Sequence, residues 1–481
     1  ERARFGSVRS EVRILSPRPS SPAPWLRNLI ARWSAHTGAS VLELAATTRH
    51  RRDIHAILAA ALQSADAGRA VERVLRRDGD VLFVGSERLP LGPKGRLLVA
   101  GAGKAAAVMA RAVAAVTGPL LAKGVVVGGP DAAENIPRMD LIIGTHPLPS
   151  DRSLAAAAAI LDLVRGAGPD DVVLFLLSGG ASAMLEAPIE GLRIEDLRSV
   201  TRALLVSGLP ITELNVVRRA LSAVKGGGIV RAAAPAFTQT LAVSDVVSDD
   251  PAVIGSAPTV QGVSDPARAM EVVRRVELPG RLEATVCDAL ARLPAAAAMP
   301  GNESRVAYQV IASVEDALRG AAQAAQSAGY ETEIVSAAVS GEAREVGAAW
   351  ARRASARASS MGTPCCLLAG GETPVRVAGA GRGGRNPEFT LAAGIALAGH
   401  AGVTVAAIGT DGRDGPTSVA GAIADGDTVE RGRRLGNDAA GFLADNDSYT
   451  FFAGLDDLVT TGATRTNVMD LHIALIGLAD D

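Results

Sequence analysis

The stretch "LLVAGAGKAAAVMARA", Leu97 to Ala112, decides how the chain is read. A short apolar run meets Gly101, Gly103 and Lys104 and then passes into an Ala-rich helical pattern. Strand, glycine turn and helix N-terminus in that order form a receptor for anions, because the first helical N–H groups have no partner within the helix. A dinucleotide pyrophosphate and a transferable phosphoryl group both suit such a turn, and an ordinary structural turn is the plain alternative.

The same rhythm continues on either side. "GVVVGG" follows the helix, and "DVVLFLLSGG" is a continuous apolar run ending in glycines, the pattern of a strand buried on both faces. Helical "IEDLRSVTRALLVSG" and "ELNVVRRALSAVKGGG" lead to the strand-like "TQTLAVSDVV". Strands alternating with helices imply a Rossmann-like parallel sheet covered on both faces. "LPAAAAMPGNES", Leu293 to Ser304, has linker composition. Beyond it come "RVAYQVIAS", a helical "VEDALRGAAQAAQSAG", "YETEIVS", "CCLLAGGE", "VTVAAIGTDG" and "LHIALIGL", a second α/β series with an expected mixed sheet. The expected layout is therefore a leader or disordered arm over 1–50, an α/β domain over 51–292, a linker over 293–304 and a smaller α/β domain over 305–481. Ligands of such sheets bind outside the carboxyl ends of the strands, so the active site is expected in the cleft between the domains.

Composition narrows the function classes. With 481 residues there is ample chain for two or three cores, and a net charge of -2 offers no broad field to nucleic acid or an anionic membrane. Mean hydropathy is +0.22, yet no apolar run approaches the about 18 residues that cross a bilayer. Cys287, Cys365 and Cys366 have neither metal-ligand nor disulfide-framework spacing, which fits a reducing, cytoplasmic compartment. Of the 49 Lys and Arg residues only Lys94, Lys104, Lys123 and Lys225 are lysine. Two of these four lie in glycine-rich turns, where a compact cation on a flexible stem suits a phosphate better than a planar fork.

Several polar glycine loops could carry chemistry. "SGGASAML" brings Ser178, Gly179, Gly180 and Ser182 to a strand end, where consecutive amides can form an anion nest. It lacks the G-x-S-x-G order of a nucleophile elbow. "SDVVSDDPAVIGSAPT" supplies Asp245 and Asp249, and "GTDGRDGPT" supplies Thr410, Asp411 and Asp414. Carboxylates in such turns serve as general base or as Mg²⁺ ligands, and Mg²⁺ needs only one or two of them beside phosphate oxygens. The EF-hand order is missing. "GGETPVRVAGAGRGGRNPEF" holds Glu372, Thr373, Arg382, Arg385, Asn386 and Glu388, and "TTGATRTNVMD" holds Arg465 and Asn467. Cations, carboxylates and glycine nests gathered on loops are the inventory of phosphoryl transfer, although neither a Walker A sequence nor the protein-kinase motif set is present.

Taken in order, "GAGKAA", "SGGASAML", "ELNVVRRALSAVKGGG", "SDVVSDDPAVIGSAPTV", "GEAREVG", "GGRNPE", "GTDGRDGPT" and "TGATRTNVMDL" resemble the glycerate 2-kinases of the MOFRL family over about residues 55 to 478. The resemblance implies a two-domain α/β enzyme that phosphorylates D-glycerate at its 2-hydroxyl with ATP and Mg²⁺. It places Lys104 and Arg385 at the site. The roles assigned on physical grounds are neutralisation of the moving phosphoryl group for Lys104 and a grip on the glycerate carboxylate or a phosphate for Arg385. Asp245 and Asp411 are nominated as base or metal residues, with Asp249 and Asp414 in support at the metal. Gly101, Gly103, Ser178, Gly179, Gly180, Ser182, Asn215, Arg218, Lys225, Asn386, Glu388, Thr410 and Asn467 are nominated to hold substrate or phosphate. Ala181, Ala220, Gly255, Ser256, Ala257, Pro387, Ala463 and Arg465 depart from the family pattern, which leaves open a relative acting on another hydroxy acid or binding one without turnover.

The main rival is an NAD(P)H-dependent hydroxypyruvate reductase, since "GAGKAA" fits G-x-G-x-x-A. That fingerprint wants an acidic residue about 20 positions on, at the end of the second strand. Here "KGVVVGGPD" ends in glycines and reaches an acid only at Asp131. His146, in "GTHPLP", is the one histidine near a motif that could serve as the acid.

Overall fold

A computed structural model describes residues 48–477, apart from 131, 133–134, 263, 294–304 and 361. Residues 1–47 of the expected leader, most of the expected linker and Asp131 therefore lie outside the described residues, while Arg49 and His50, expected in the leader, open a helix.

A three-stranded antiparallel sheet comes first: β1 (Leu75–Asp78), β2 (Val81–Val84) and β3 (Glu87–Arg88). Its two-residue turns begin at Gly79 and Gly85, whose φ values of 58° and 59° are what tight hairpins demand. The main sheet follows, built from β4 (Leu97–Ala102), β5 (Leu121–Gly128), β6 (Met139–Ile143), β7 (Val172–Leu177), β8 (Phe237–Val243) and β9 (Val306–Ala312). All six strands are parallel, in the order β6-β5-β4-β7-β8-β9. That is the doubly wound order, with its switch point between β4 and β7.

Alternation along β4 explains the two covered faces. Leu97 and Val99 pack against the helix Ala106–Thr117, while Leu98 and Ala100 pack against the helix Asp151–Arg165. Four helices, Ile194–Val206, Ile211–Ala220, Pro266–Val273 and Gly280–Ala291, share a separate apolar cluster beside the sheet.

The second sheet comprises β10 (Glu331–Val339), β11 (Cys365–Gly371), β12 (Val403–Gly409), β13 (Gly421–Asp425), β14 (Leu458–Val459) and β15 (Asp470–Ile476), in the order β10-β11-β15-β12-β13-β14. Only the β10–β11 pair is parallel, so the sheet is mixed, as the sequence implies.

The sheets divide the chain differently from the sequence reading. "RVAYQVIAS", expected to open the second unit, is β9 and completes the first sheet, with Thr238 opposite Val306 and Val243 opposite Ala312. Conversely the helix Arg49–Ser64, expected in the first domain, is clamped to the second sheet. Arg51, 6% exposed, pairs with Asp425 and Asp457, and His50 Nδ1 lies 3.0 Å from the Thr404 hydroxyl. Linker composition marks a break in the chain but not the side of the break on which each strand pairs. One apolar cluster runs from Ile54 and Ile57 through Leu97 and Val99 to Leu368 and Ile473, so both sheets share a core.

Candidate active site

The cavity lies at the switch point, where the loops after β4 and β7 meet loops of the second sheet. Its volume is about 600 Å³. The turn after β4 is held tightly to the turn after β7. Lys104 N–H donates to Gly179 O at 2.8 Å, and Ala105 N–H donates to Ser178 Oγ at 3.0 Å. Gly103 takes φ 128°, and a Cβ there would lie 2.3 Å from Ser178 Oγ. Gly101 and Gly103 therefore act through backbone shape.

This clamp aims Lys104 across the cleft. Its Nζ lies 2.8 Å from Asp411 Oδ2, in the turn after β12, with the two side chains 32% and 22% exposed. Gly179 faces Asp245 and Asn467 so closely that a Cβ there would come within 2.3 Å of Asp245 Oδ2 and 2.7 Å of Asn467 Nδ2. Lys104, Asp245, Asp411 and Asn467, drawn from four loops and both sheets, thus converge on one glycine pair. Burial and the neighbouring Glu372 push the Asp245 carboxyl up to about 6, with Lys104 pulling the other way. A carboxylate so tuned can take a proton near neutral pH.

Arg385 starts the helix Arg385–Ala396 and is ion-paired on two sides. Its Nη2 donates to Asp470 Oδ1 at 2.9 Å, Nε lies 2.6 Å from Asp470 Oδ2, and Nη1 bonds Glu372. The flanking carboxylates, Asp470 above all, keep the guanidinium charged. Asp414 stands at the same helix end, its oxygens accepting from Arg385 N–H at 3.2 Å and Asn386 N–H at 2.5 Å. That is the favoured place for a carboxylate beside unpaired helix amides.

The loops nominated from the sequence reach the cavity unevenly. Lys104, Gly180, Asp245, Arg385, Asp411, Asp414 and Asn467 line it. Others are brought elsewhere. Lys225 is 2% exposed and ion-paired with Glu186. Glu388 holds Arg344 Nε and Asn446 Nδ2, each at 2.8 Å. Thr410 Oγ1 donates to Met469 O at 2.6 Å, and Ser182 Oγ sits 2.7 Å from Ser256 Oγ. Asn386 is buried under the Asp414 end of its helix, Asn215 is buried on Ile211–Ala220, and Asp249 does not line the cavity. Arg218 faces Glu186 and His146 and does not line the cavity itself.

Sequence reasoning did not commit to Asp470 or Glu372, the partners of Arg385. Asp470 ends a quoted motif and opens a strand, and an acid at that position next to an arginine-bearing loop was the available signal. Ala463 and Arg465, both departures from the family pattern, also line the cavity.

Among the described residues no cluster of three or more His, Cys, Asp or Glu could cage a metal alone. Mg²⁺ does not require one, because phosphate oxygens and water supply most of its shell. Asp245 and Asp411 are the carboxylates that fit that demand, since Asp414 already serves helix amides and Asp249 is off the cleft.

Comparison with known proteins identifies the family. Residues 365–470 match the MOFRL family, and residues 53–291 match DUF4147, a domain of unknown function. The D-glycerate 2-kinase of Thermotoga maritima is 37% identical over 396 residues, covering 81% of this chain and 93% of that protein. The chain belongs to the MOFRL-type glycerate kinase family. A crystal structure of glycerate kinase from the same organism superposes with a TM-score of 0.76 at 35% identity, covering 88% of this chain and 98% of that one. A protein of Agrobacterium vitis with the provisional name hydroxypyruvate reductase is 40% identical over 428 residues, 85% of this chain and 95% of its own length. Among the described residues, no helix of this family member is long and apolar enough to cross a membrane.

Proposed function

We propose that the protein transfers the γ-phosphoryl group of ATP to the 2-hydroxyl of D-glycerate, giving 2-phosphoglycerate and ADP. The observation that carries this reading is the meeting of Lys104, Asp245, Asp411 and Asn467 at Gly179–Gly180, on the switch point of a parallel sheet. Asp245 accepts the proton of the 2-hydroxyl as that oxygen attacks phosphorus. The bond from phosphorus to the ADP oxygen breaks, and Lys104 opposes the charge spread over the moving group. Arg385, fixed by Asp470 and Glu372, presents its remaining N–H donors to a phosphate at the rim. Asp411, with Asp245 kept free as the base, would hold Mg²⁺, which would screen the charge of the phosphates. The departures at Ala463 and Arg465 bear on the edge of the cleft and leave the Lys104–Asp411 pair in place.

The reaction is tested with purified protein, D-glycerate, ATP and Mg²⁺, following ADP release and identifying the product by ³¹P NMR. A 2-phosphoglycerate signal supports the proposal. Absence of ADP release, with NADH oxidised on addition of hydroxypyruvate, overturns it in favour of the reductase.

A further inference from the structure

Arg385 is a poor receptor for a substrate carboxylate, and charge counting shows why. Asp470 and Glu372 both pair with it, and Asp414 adds a third carboxylate at the same helix end. A second arginine lies in the opposite situation. Arg218, on the helix Ile211–Ala220, makes no hydrogen bond or ion pair within 4 Å to any described residue, and burial pulls its pKa down. The one carboxylate acting on it is that of Glu186, and Glu186 is already bonded to buried Lys225. Two cations against one carboxylate leave a net positive charge at a half-buried side chain, open to completion by an anion.

The location fits a substrate group. Arg218, Glu186, Ser182, Thr201 and Pro147 line a notch of about 20 Å³, space for one small polar group and not for a second substrate. Pro147 also lines the main cavity, and the intervening His146 feels the charges of Lys104, Asp411 and Arg218 together. The notch therefore adjoins the cleft at Pro147.

We propose that Arg218 is the receptor for the carboxylate of the acid substrate and the residue that selects a hydroxy acid over a neutral polyol or amide. The assignment rests on the function proposed above. Its planar fork matches a carboxylate bidentately, which a lysine cannot do. Arg385 is left to the nucleotide side of the cleft.

The test compares wild type with Arg218→Met and Arg218→Lys, using D-glycerate and its uncharged carboxamide, D-glyceramide. In Arg218→Met the KM for glycerate should rise about 10- to 100-fold, the range for losing a charge-assisted hydrogen-bonded contact. The KM for ATP should stay within about twofold, since a partner on the acid side contributes nothing to nucleotide binding. The preference for glycerate over glyceramide should collapse, and Arg218→Lys should recover only part of it. Because removal leaves Lys225 and Glu186 as a balanced pair, Arg218→Met should melt no lower than wild type. An unchanged glycerate KM and an unchanged preference in Arg218→Met overturn the assignment. If wild type does not phosphorylate glycerate, the function proposal fails separately, and the subsite is judged by thermal shift with glycerate alone. Stabilisation of wild type but not of Arg218→Met then supports it, and equal stabilisation of both, or none of wild type, overturns it.

Discussion

Lys104 and Arg385 both line the cleft and are already paired with carboxylates; in the proposed reaction Lys104 exchanges Asp411 for phosphate oxygens, while Arg385 keeps Asp470 and offers its remaining donors. Removing a preorganised donor from a site where charge develops typically costs about 10²-fold or more in rate. Lys104→Ala and Arg385→Ala should each lower kcat/KM for phosphorylation of glycerate by at least about 10²-fold, and near-normal turnover in either variant removes that residue from the site. Asp245 carries a second expectation at this scale. As a base it works only when ionised, and its carboxyl is raised to about 6. Activity should therefore be full above about pH 7 and fall tenfold per pH unit below about 6. Asp245→Asn should abolish that limb together with most of the rate, measured as kcat/KM across pH 5 to 8. Residues of this kind were legible because they stand in short glycine loops after apolar strands. The partners of Arg385 were not, because Asp470 meets it across 85 positions of chain.

Elements whose signals are local were also legible. β4, β7, β11, β12 and β15 each coincide with an apolar run, and the helix after β4 begins where the glycine turn ends. The hairpins β1–β3 show the reverse: Gly79 and Gly85 were present as turn signals, but the polar strand "LRRD" gave no alternation to read. The docking of the helix Arg49–Ser64, though not its helical pattern, was hidden for another reason. Its polar face looks like solvated surface until Arg51 meets Asp425, 374 positions away, and Asp457, 406 away. Arg51 is buried, Asp457 is 3% exposed, and Arg431 shares both carboxylates from outside. Breaking a buried pair by removing one partner costs about 3–5 kcal/mol, and the remaining Arg431 points to the lower end. Arg51→Met should lower the free energy of urea unfolding by about 3 kcal/mol, while the KM values of the folded enzyme stay unchanged because the clamp lies away from the cleft. A loss below about 0.5 kcal/mol, the level of an ordinary surface change, would remove the clamp from the account.

At the scale of the whole molecule, the shared core ties the stability of both sheets to groups that titrate in opposite senses. His472 lies on β15, buried and stacked on Phe389 with ring centroids 4.3 Å apart, and burial, helped by Arg385, lowers its pKa to about 3. A histidine whose folded pKa is depressed stabilises the protein above its unfolded value of about 6.5, and that contribution drains away as pH falls toward the folded value. Asp245 acts the other way, because a raised carboxyl binds its proton more tightly in the folded state and favours folding as pH drops through about 6. The wild-type stability profile therefore mixes both signs, and only a difference between variants isolates one group. His472→Leu keeps an apolar side chain of similar size in the stack and removes the titration. Relative to wild type, the variant should gain about 1.4 kcal/mol for each pH unit below about 6.5, hence close to 3 kcal/mol between pH 7 and pH 4.5. Urea unfolding of both proteins at those two pH values measures the change, and a pH-independent difference would show that His472 is protonated in the folded core. The acid limb of activity, set by Asp245, should be the same in both proteins, which separates loss of the base from loss of the fold.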